Sequence, residues 1–179
     1  MKSKTKPILK VLHIISWIIF IGLCVRTGAI LYSFFVSLFI NSEGAKNLYG
    51  GLNLSSLFNY DRAQYCFVVS LIAFISALKA YVFYLVIKIF LKINFVHPFS
   101  ETVTAFISRI GYVALFIGIL SIIGNSYCDW LGKKGVEFPD LNHFMGAGVE
   151  HLLFAGVIVF ISQVFKRGIE IQSENELTV

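Results

Sequence analysis

Four side chains able to do chemistry interrupt long apolar runs: Arg26, Lys79, Glu150 and His151. A basic or acidic group at the centre of a membrane span costs roughly 2.5–3.5 kcal/mol on insertion scales, so each needs a partner or a function. Arg26 lies 16 residues past Lys10, and Glu150 lies 16 residues before Lys166. At about 1.5 Å per helical residue the two arrive at a similar height. This predicts an Arg26–Glu150 pair: an ion pair fixing helix register, or part of a ligand or ion site. Lys79 lies 9 residues before Lys88, near mid-depth, and no acid of the third apolar run matches it. Two accounts stand for it. It snorkels or bonds nearby Tyr81 or Tyr84, or it is a cation reserved for the acidic group of a lipid or small amphiphile. His151, beside Glu150, is read first as a hydrogen-bonded structural histidine and second as a pH-responsive group.

Other chemistry is not indicated. Two axial haem histidines should face each other at one height. His13 falls near one surface and His151 near the other, while His97 and His143 fall in or near loops. There is no nucleophile motif, glycine-rich phosphate loop or paired-carboxylate pattern, and the GGL at Gly50 is too short to mean phosphate. The sequence therefore nominates no catalytic, cofactor-binding or metal-binding residue, and the expectation is a non-enzymatic protein without cofactor.

The elements that must position the four residues are legible as apolar runs. A span needs roughly 20 mostly apolar residues to cross about 30 Å of hydrocarbon. Val11 to Ile40 and Tyr65 to Ile87 contain one charge each, Arg26 and Lys79; Ile110 to Tyr127 contains none; Leu141 to Phe165 contains Glu150 beside His151. With 57% apolar and 14% charged residues in 179, against about 25% charged in soluble domains, little chain is left outside the spans. The fold class expected is all-α: a four-helix transmembrane bundle, one integral membrane domain over 1–179, with spans near 9–40, 65–91, 102–125 and 143–167. The formal charge of +5 does not indicate nucleic acid, because Lys and Arg cluster at span ends instead of along one face.

With the N-terminus in the cytoplasm, the inner segments hold nine basic residues (Lys2, Lys4, Lys6, Lys10, Lys88, Lys92, Arg109, Lys166, Arg167). The outer loops hold four: Lys46, Arg62, Lys133 and Lys134. This fits the positive-inside bias and places both chain ends in the cytoplasm. The N-terminal run lacks a small-residue cleavage site and is longer than a signal peptide's apolar core, so it reads as an uncleaved first span. That run is one long tilted helix, or it breaks near Gly28; the first is preferred. The outer segment Asn41 to Gln64 is rich in turn formers. Ser100 and Glu101 form a credible helix start, and Tyr127 and Trp130 sit where interfacial aromatics are expected.

Small residues recur at helical spacing: Gly111, Ala114, Gly118 and Ser121; Ser70, Ala73, Ala77 and Ala80; Gly148, Ala155 and Ser162. Such seams let membrane helices approach closely. Bundle packing is their first reading and a homodimer face the alternative. Arg26 shares a face with Gly22, Ala29 and Ser33 and should point inward. Cys24, Cys66 and Cys128 show no metal spacing; a Cys66–Cys128 disulfide is geometrically open but nothing else suggests a stapled fold. After Lys166 and Arg167 the tail is acidic and amphipathic, with Glu170, Glu174 and Glu176. It reads as a solvated helix end or as a docking segment for the bundle or a cytosolic partner.

Two stretches, HPFSETVTAFISRIGY and GIEIQSENELTV, resemble the bacterial membrane proteins grouped as domain of unknown function 2975. The first is similar to the family's Pro-Phe-Ser/Thr entry to the third helix. The second is similar to its ending, with Glu176 where aspartate is usual. The resemblance implies a four-span protein of this size in the bacterial inner (cell) membrane, with genes often beside a small helix-turn-helix regulator; it implies no activity and no catalytic residues. The expected partners are membrane lipids and a cytosolic transcription regulator, with no direct nucleic-acid contact. The first functional expectation is signalling or regulation with that partner. The alternative is a small transporter or immunity-type protein that binds a lipid-like amphiphile near Arg26, Glu150 and Lys79.

Overall fold

A computed structural model describes residues 5–93 and 99–177. Lys2, Lys4, His97, Pro98 and the end of the C-terminal motif fall outside them or carry no described side chain. The described residues form six α-helices, α1 (Thr5–Phe39), α2 (Ser55–Tyr60), α3 (Arg62–Lys92), α4 (Glu101–Gly132), α5 (Asn142–Met145) and α6 (Gly148–Leu177), and a 3-10 helix at Ser42–Lys46. Helix α1, helix α3, helix α4 and the α5–α6 unit are long and apolar enough to cross a membrane.

Local chemistry sets the boundaries. The Asp61 side chain accepts from the Gln64 N–H at 2.9 Å and starts α3. The Ser100 hydroxyl accepts from the Val103 N–H at 3.3 Å and starts α4, with Glu101 in its first turn, as the sequence predicts. Helix α1 is one unbroken helix; Gly28 does not interrupt it. Helix α4 runs about two turns beyond the expected end at 125, to Gly132, so Tyr127 and Trp130 stack in its last turns with Lys134 over the Trp130 ring. Between α1 and α3 the chain turns on Gly50 and Gly51, both at positive φ, a conformation that glycine adopts without strain. This segment buries Leu48, Leu52, Leu54 and Leu57 against Ile30 and Tyr65, and the Tyr65 and Ser37 hydroxyls bond at 2.6 Å.

The spans pack in chain order, α1 on α3, α3 on α4 and α4 on α6, with the α4–α6 interface the most extensive. The small-residue seams explain that last pair. A Cβ on Gly118 would come within 3.1 Å of the Gly148 carbonyl, and one on Gly148 within 2.8 Å of the Gly118 carbonyl. Gly148, Ala155 and Ser162 are buried on the facing side, and the Ser108 and Ser162 hydroxyls bond across the interface. The proposed α3 seam is only half used: Ala73 and Ala80 are buried, Ser70 and Ala77 exposed. Helices α1 and α6 make no interface comparable to the others. The array is therefore open between them. Cys24, Cys66 and Cys128 are free thiols, so the Cys66–Cys128 disulfide does not form.

Candidate functional site

The fourth span is broken, which the sequence reading did not anticipate. Helix α5 ends at Met145, Gly146 takes φ 90° and ψ 162°, and α6 begins at Gly148. A helix end leaves its last carbonyls without main-chain donors, and at membrane depth such groups must be met by other protein atoms. Here they are met from the neighbouring spans. Arg26 Nη2 donates to the carbonyls of His143 at 3.3 Å and Phe144 at 3.2 Å. Lys79 Nζ donates to the Met145 carbonyl at 2.9 Å, and the Ser121 hydroxyl donates to the same oxygen at 2.9 Å. Asn125 Nδ2 donates to the Gly146 carbonyl at 3.3 Å. Cations also suit the negative end of a helix.

This arrangement corrects two expectations. Arg26 and Glu150 do not pair. Arg26 goes to backbone carbonyls and packs over the Phe144 ring at 5.3 Å. The break in the fourth span places carbonyl acceptors at Arg26's height, and these occupy the guanidinium instead of the carboxylate. Lys79 neither snorkels nor bonds Tyr81 or Tyr84; it turns inward to the break. The face of α1 that carries Arg26 also differs from expectation. Gly22 is exposed with open space around it, while Ile30 and Ser37 are the buried positions.

His151 lies across Gly146 from Lys79. A Cβ on Gly146 would sit 2.7 Å from His151 Cε1 and 3.0 Å from Lys79 Nζ. His151 Nδ1 is 3.0 Å from the Ala147 carbonyl. A carbonyl can only accept, so Nδ1 carries the proton and Nε2 of the neutral ring is an acceptor. Glu150 stands in the first turn of α6, where the helix dipole favours an acid. Among the described residues it has no hydrogen bond or ion pair; the ion pairs there are Lys46–Glu43 and Arg167–Glu170.

Lys79, Glu150 and His151 together form one end of a cavity of about 790 Å³. Its other lining is almost wholly apolar: Ile19 and Leu23 of α1; Val82, Phe83, Val86 and Ile89 of α3; Ile107, Ile110, Ala114 and Ile117 of α4; Phe154, Ile158, Ile161 and Phe165 of α6. These residues recur every three or four positions, so each helix contributes one stripe. The cavity is the gap left where α1 and α6 fail to meet. From Lys79 to Ile89 along α3 is roughly 15 Å, and from His151 to Phe165 along α6 roughly 21 Å. One leaflet of a bilayer core is about 15 Å deep. The groove thus has the length of one extended hydrocarbon chain, with its polar groups at the end nearer the break.

On the far side of the break lies a second, polar cavity of about 700 Å³, lined by Asn125, Asp129, Lys133, Asp140 and Asn142 among others. Asn142, the first residue of α5, lines this second space. Of the four sequence-nominated residues, the structure brings Lys79, Glu150 and His151 to one place and puts Arg26 one turn above Leu23 of the groove wall. Sequence reading missed Ser121 and Asn125 as partners of the break. Both are polar residues on the inward stripe of an uncharged span, a signal that was open to it.

No curated protein and no solved structure matches the chain. A protein family described as of unknown function, DUF2975, matches residues 51–179, which include α2 to α6, Lys79, Glu150 and His151 but not Arg26. The chain therefore belongs to the DUF2975 family, as a multi-pass helical membrane protein whose polar residues converge on a broken fourth span.

Proposed function

We propose that this protein is a membrane-embedded binding protein, not an enzyme, that holds a single-chain amphiphile in the groove between α1 and α6 in the bacterial inner membrane. The observation that carries the reading is the groove itself: apolar over the length of one leaflet and ended by Lys79, Glu150 and His151. Beyond their bonds at the break, these side chains keep capacity that packing does not use: two N–H groups on Lys79, a second ring nitrogen on His151 and the Glu150 carboxylate. The test is native mass spectrometry of the protein released from nanodiscs, with Val86→Trp as the comparison, since Val86 lines the groove midway. The expected result is a bound amphiphile on the wild type that is lost from the variant. Wild type without a tightly held amphiphile, or equal retention by Val86→Trp, overturns the reading.

A second reading, relay to a cytosolic partner such as a transcription regulator, is favoured by α6. The helix that lines the groove from Glu150 to Phe165 continues without a break to Leu177, past Lys166 and Arg167. Occupancy of the groove and the position of that extension are then mechanically linked. Recovery of a regulator on membranes with and without the last twelve residues tests it; equal recovery, or none, overturns it.

A further inference from the structure

We infer that the occupant of the groove carries a carboxylate head group, placed against Lys79; this rests on the groove reading above. Charge decides the matter. Two basic side chains, Arg26 and Lys79, meet at the break, and neither has an ion-pair partner among the described residues. Glu150 is the one acid lining the groove, and it reaches neither cation closely enough to pair. The level therefore carries one uncompensated positive charge, which a monoanionic head would balance.

The donor geometry agrees. Lys79 Nζ has three N–H donors and uses one on the Met145 carbonyl. Arg26 Nε is buried without an acceptor. The spare donors at this level are two N–H groups of Lys79 and the Arg26 Nε, and an oxygen anion is the strongest acceptor for them. Gly146 lets Lys79 and His151 stand close together: a Cβ there would lie 3.0 Å from Lys79 Nζ and 2.7 Å from His151 Cε1. A neutral head would answer the ammonium's remaining donors only with uncharged oxygens, whose hydrogen bonds are weaker than those of a carboxylate.

The test compares palmitate with its methyl ester on delipidated protein in neutral detergent, by calorimetry or by displacement of a fluorescent fatty acid. The ester keeps the chain and removes the charge. Charge-assisted hydrogen bonds contribute about 1.5–3 kcal/mol, so the wild type should favour the acid roughly ten- to a hundredfold. Lys79→Met should erase that preference and Lys79→Arg should keep it. Equal binding of acid and ester by wild type overturns the head-group assignment while leaving the groove reading intact. So does acid binding by Lys79→Met at the wild-type level. A lyso-phospholipid that binds at least as tightly as palmitate also overturns it. Failure of every probe, together with Val86→Trp indistinguishable from wild type, overturns the groove reading itself. The wild-type acid–ester comparison needs no variant to fold.

Discussion

Lys79 illustrates why a buried charge can be judged by what its removal would do. Its bond to the Met145 carbonyl contributes about 1.5–3 kcal/mol. Against that, a lysine at membrane depth costs roughly 2.5–3.5 kcal/mol, and the carbonyl keeps Ser121 as a second donor when the ammonium is gone. The two terms nearly cancel. Lys79→Met is therefore expected to leave stability within about 1 kcal/mol of wild type, or raise it, in unfolding from detergent or mixed micelles. A loss above about 3 kcal/mol would mean that the ammonium is a structural clip for the break. Ser121→Ala makes the converse case. It leaves Lys79 on the same oxygen and should cost about 0.6 kcal/mol, the average for interhelical hydrogen bonds in membranes. The Arg26–Glu150 pair failed for a reason that counting along the chain does not reveal. Side-chain charge is written in the sequence, whereas the competing acceptors are main-chain carbonyls that appear only where a helix stops.

The same chemistry separates the glycines of the spans. On Gly148 a Cβ would meet Ile122 Cγ1 at 2.3 Å and the Gly118 carbonyl at 2.8 Å. Backbone cannot yield as a flexible side chain does, so Gly148→Ala should destabilise by about 1–3 kcal/mol. On Gly28 a Cβ would meet nothing within 4 Å, and the residue lies inside a continuous helix. Gly28→Ala should stabilise by up to about 1 kcal/mol. Matched unfolding curves of the two variants check both signs, and a loss at Gly28 would contradict the packing described for α1. The four spans were readable because twenty apolar residues have few other homes, and the α4–α6 seam because Gly111, Ala114 and Gly118 repeat at helical spacing. The break at Gly146 was not. The stretch Phe144 to Gly148 continues the apolar run without a proline, and its only mark of a stop is Gly146, the C-cap of α5, in a chain where α1 and α4 carry glycines without breaking. Its interruption is stabilised by Arg26, Lys79, Ser121 and Asn125, which come from three other helices.

Taken together, the packing order gives the protein two different faces. On the side of the α1–α3 and α4–α5 connections a layer of short helices covers the bundle, with Leu48, Leu52, Leu54 and Leu57 as its core. On the side of the chain ends the Phe99 ring packs on Phe165 at 5.3 Å, and the groove runs toward it between α1 and α6. Four crossings put both ends on this second side whatever the orientation. The orientation follows from charge. The nine basic residues of the end-bearing side, against four on the covered side, favour the cytoplasm for the ends, since loops rich in Lys and Arg resist translocation. The groove would then receive its ligand from the inner leaflet, and the polar cavity beside Asp129 and Asp140 would face the outside. A cysteine introduced at Lys134 and one at Ser173, each in a background with Cys24, Cys66 and Cys128 replaced, make this measurable. A membrane-impermeant maleimide added to intact cells should label the first and not the second, and permeabilisation should expose both. The reverse pattern would invert the protein and move the groove to the outer leaflet. Labelling of both sites in intact cells would contradict the four-span topology.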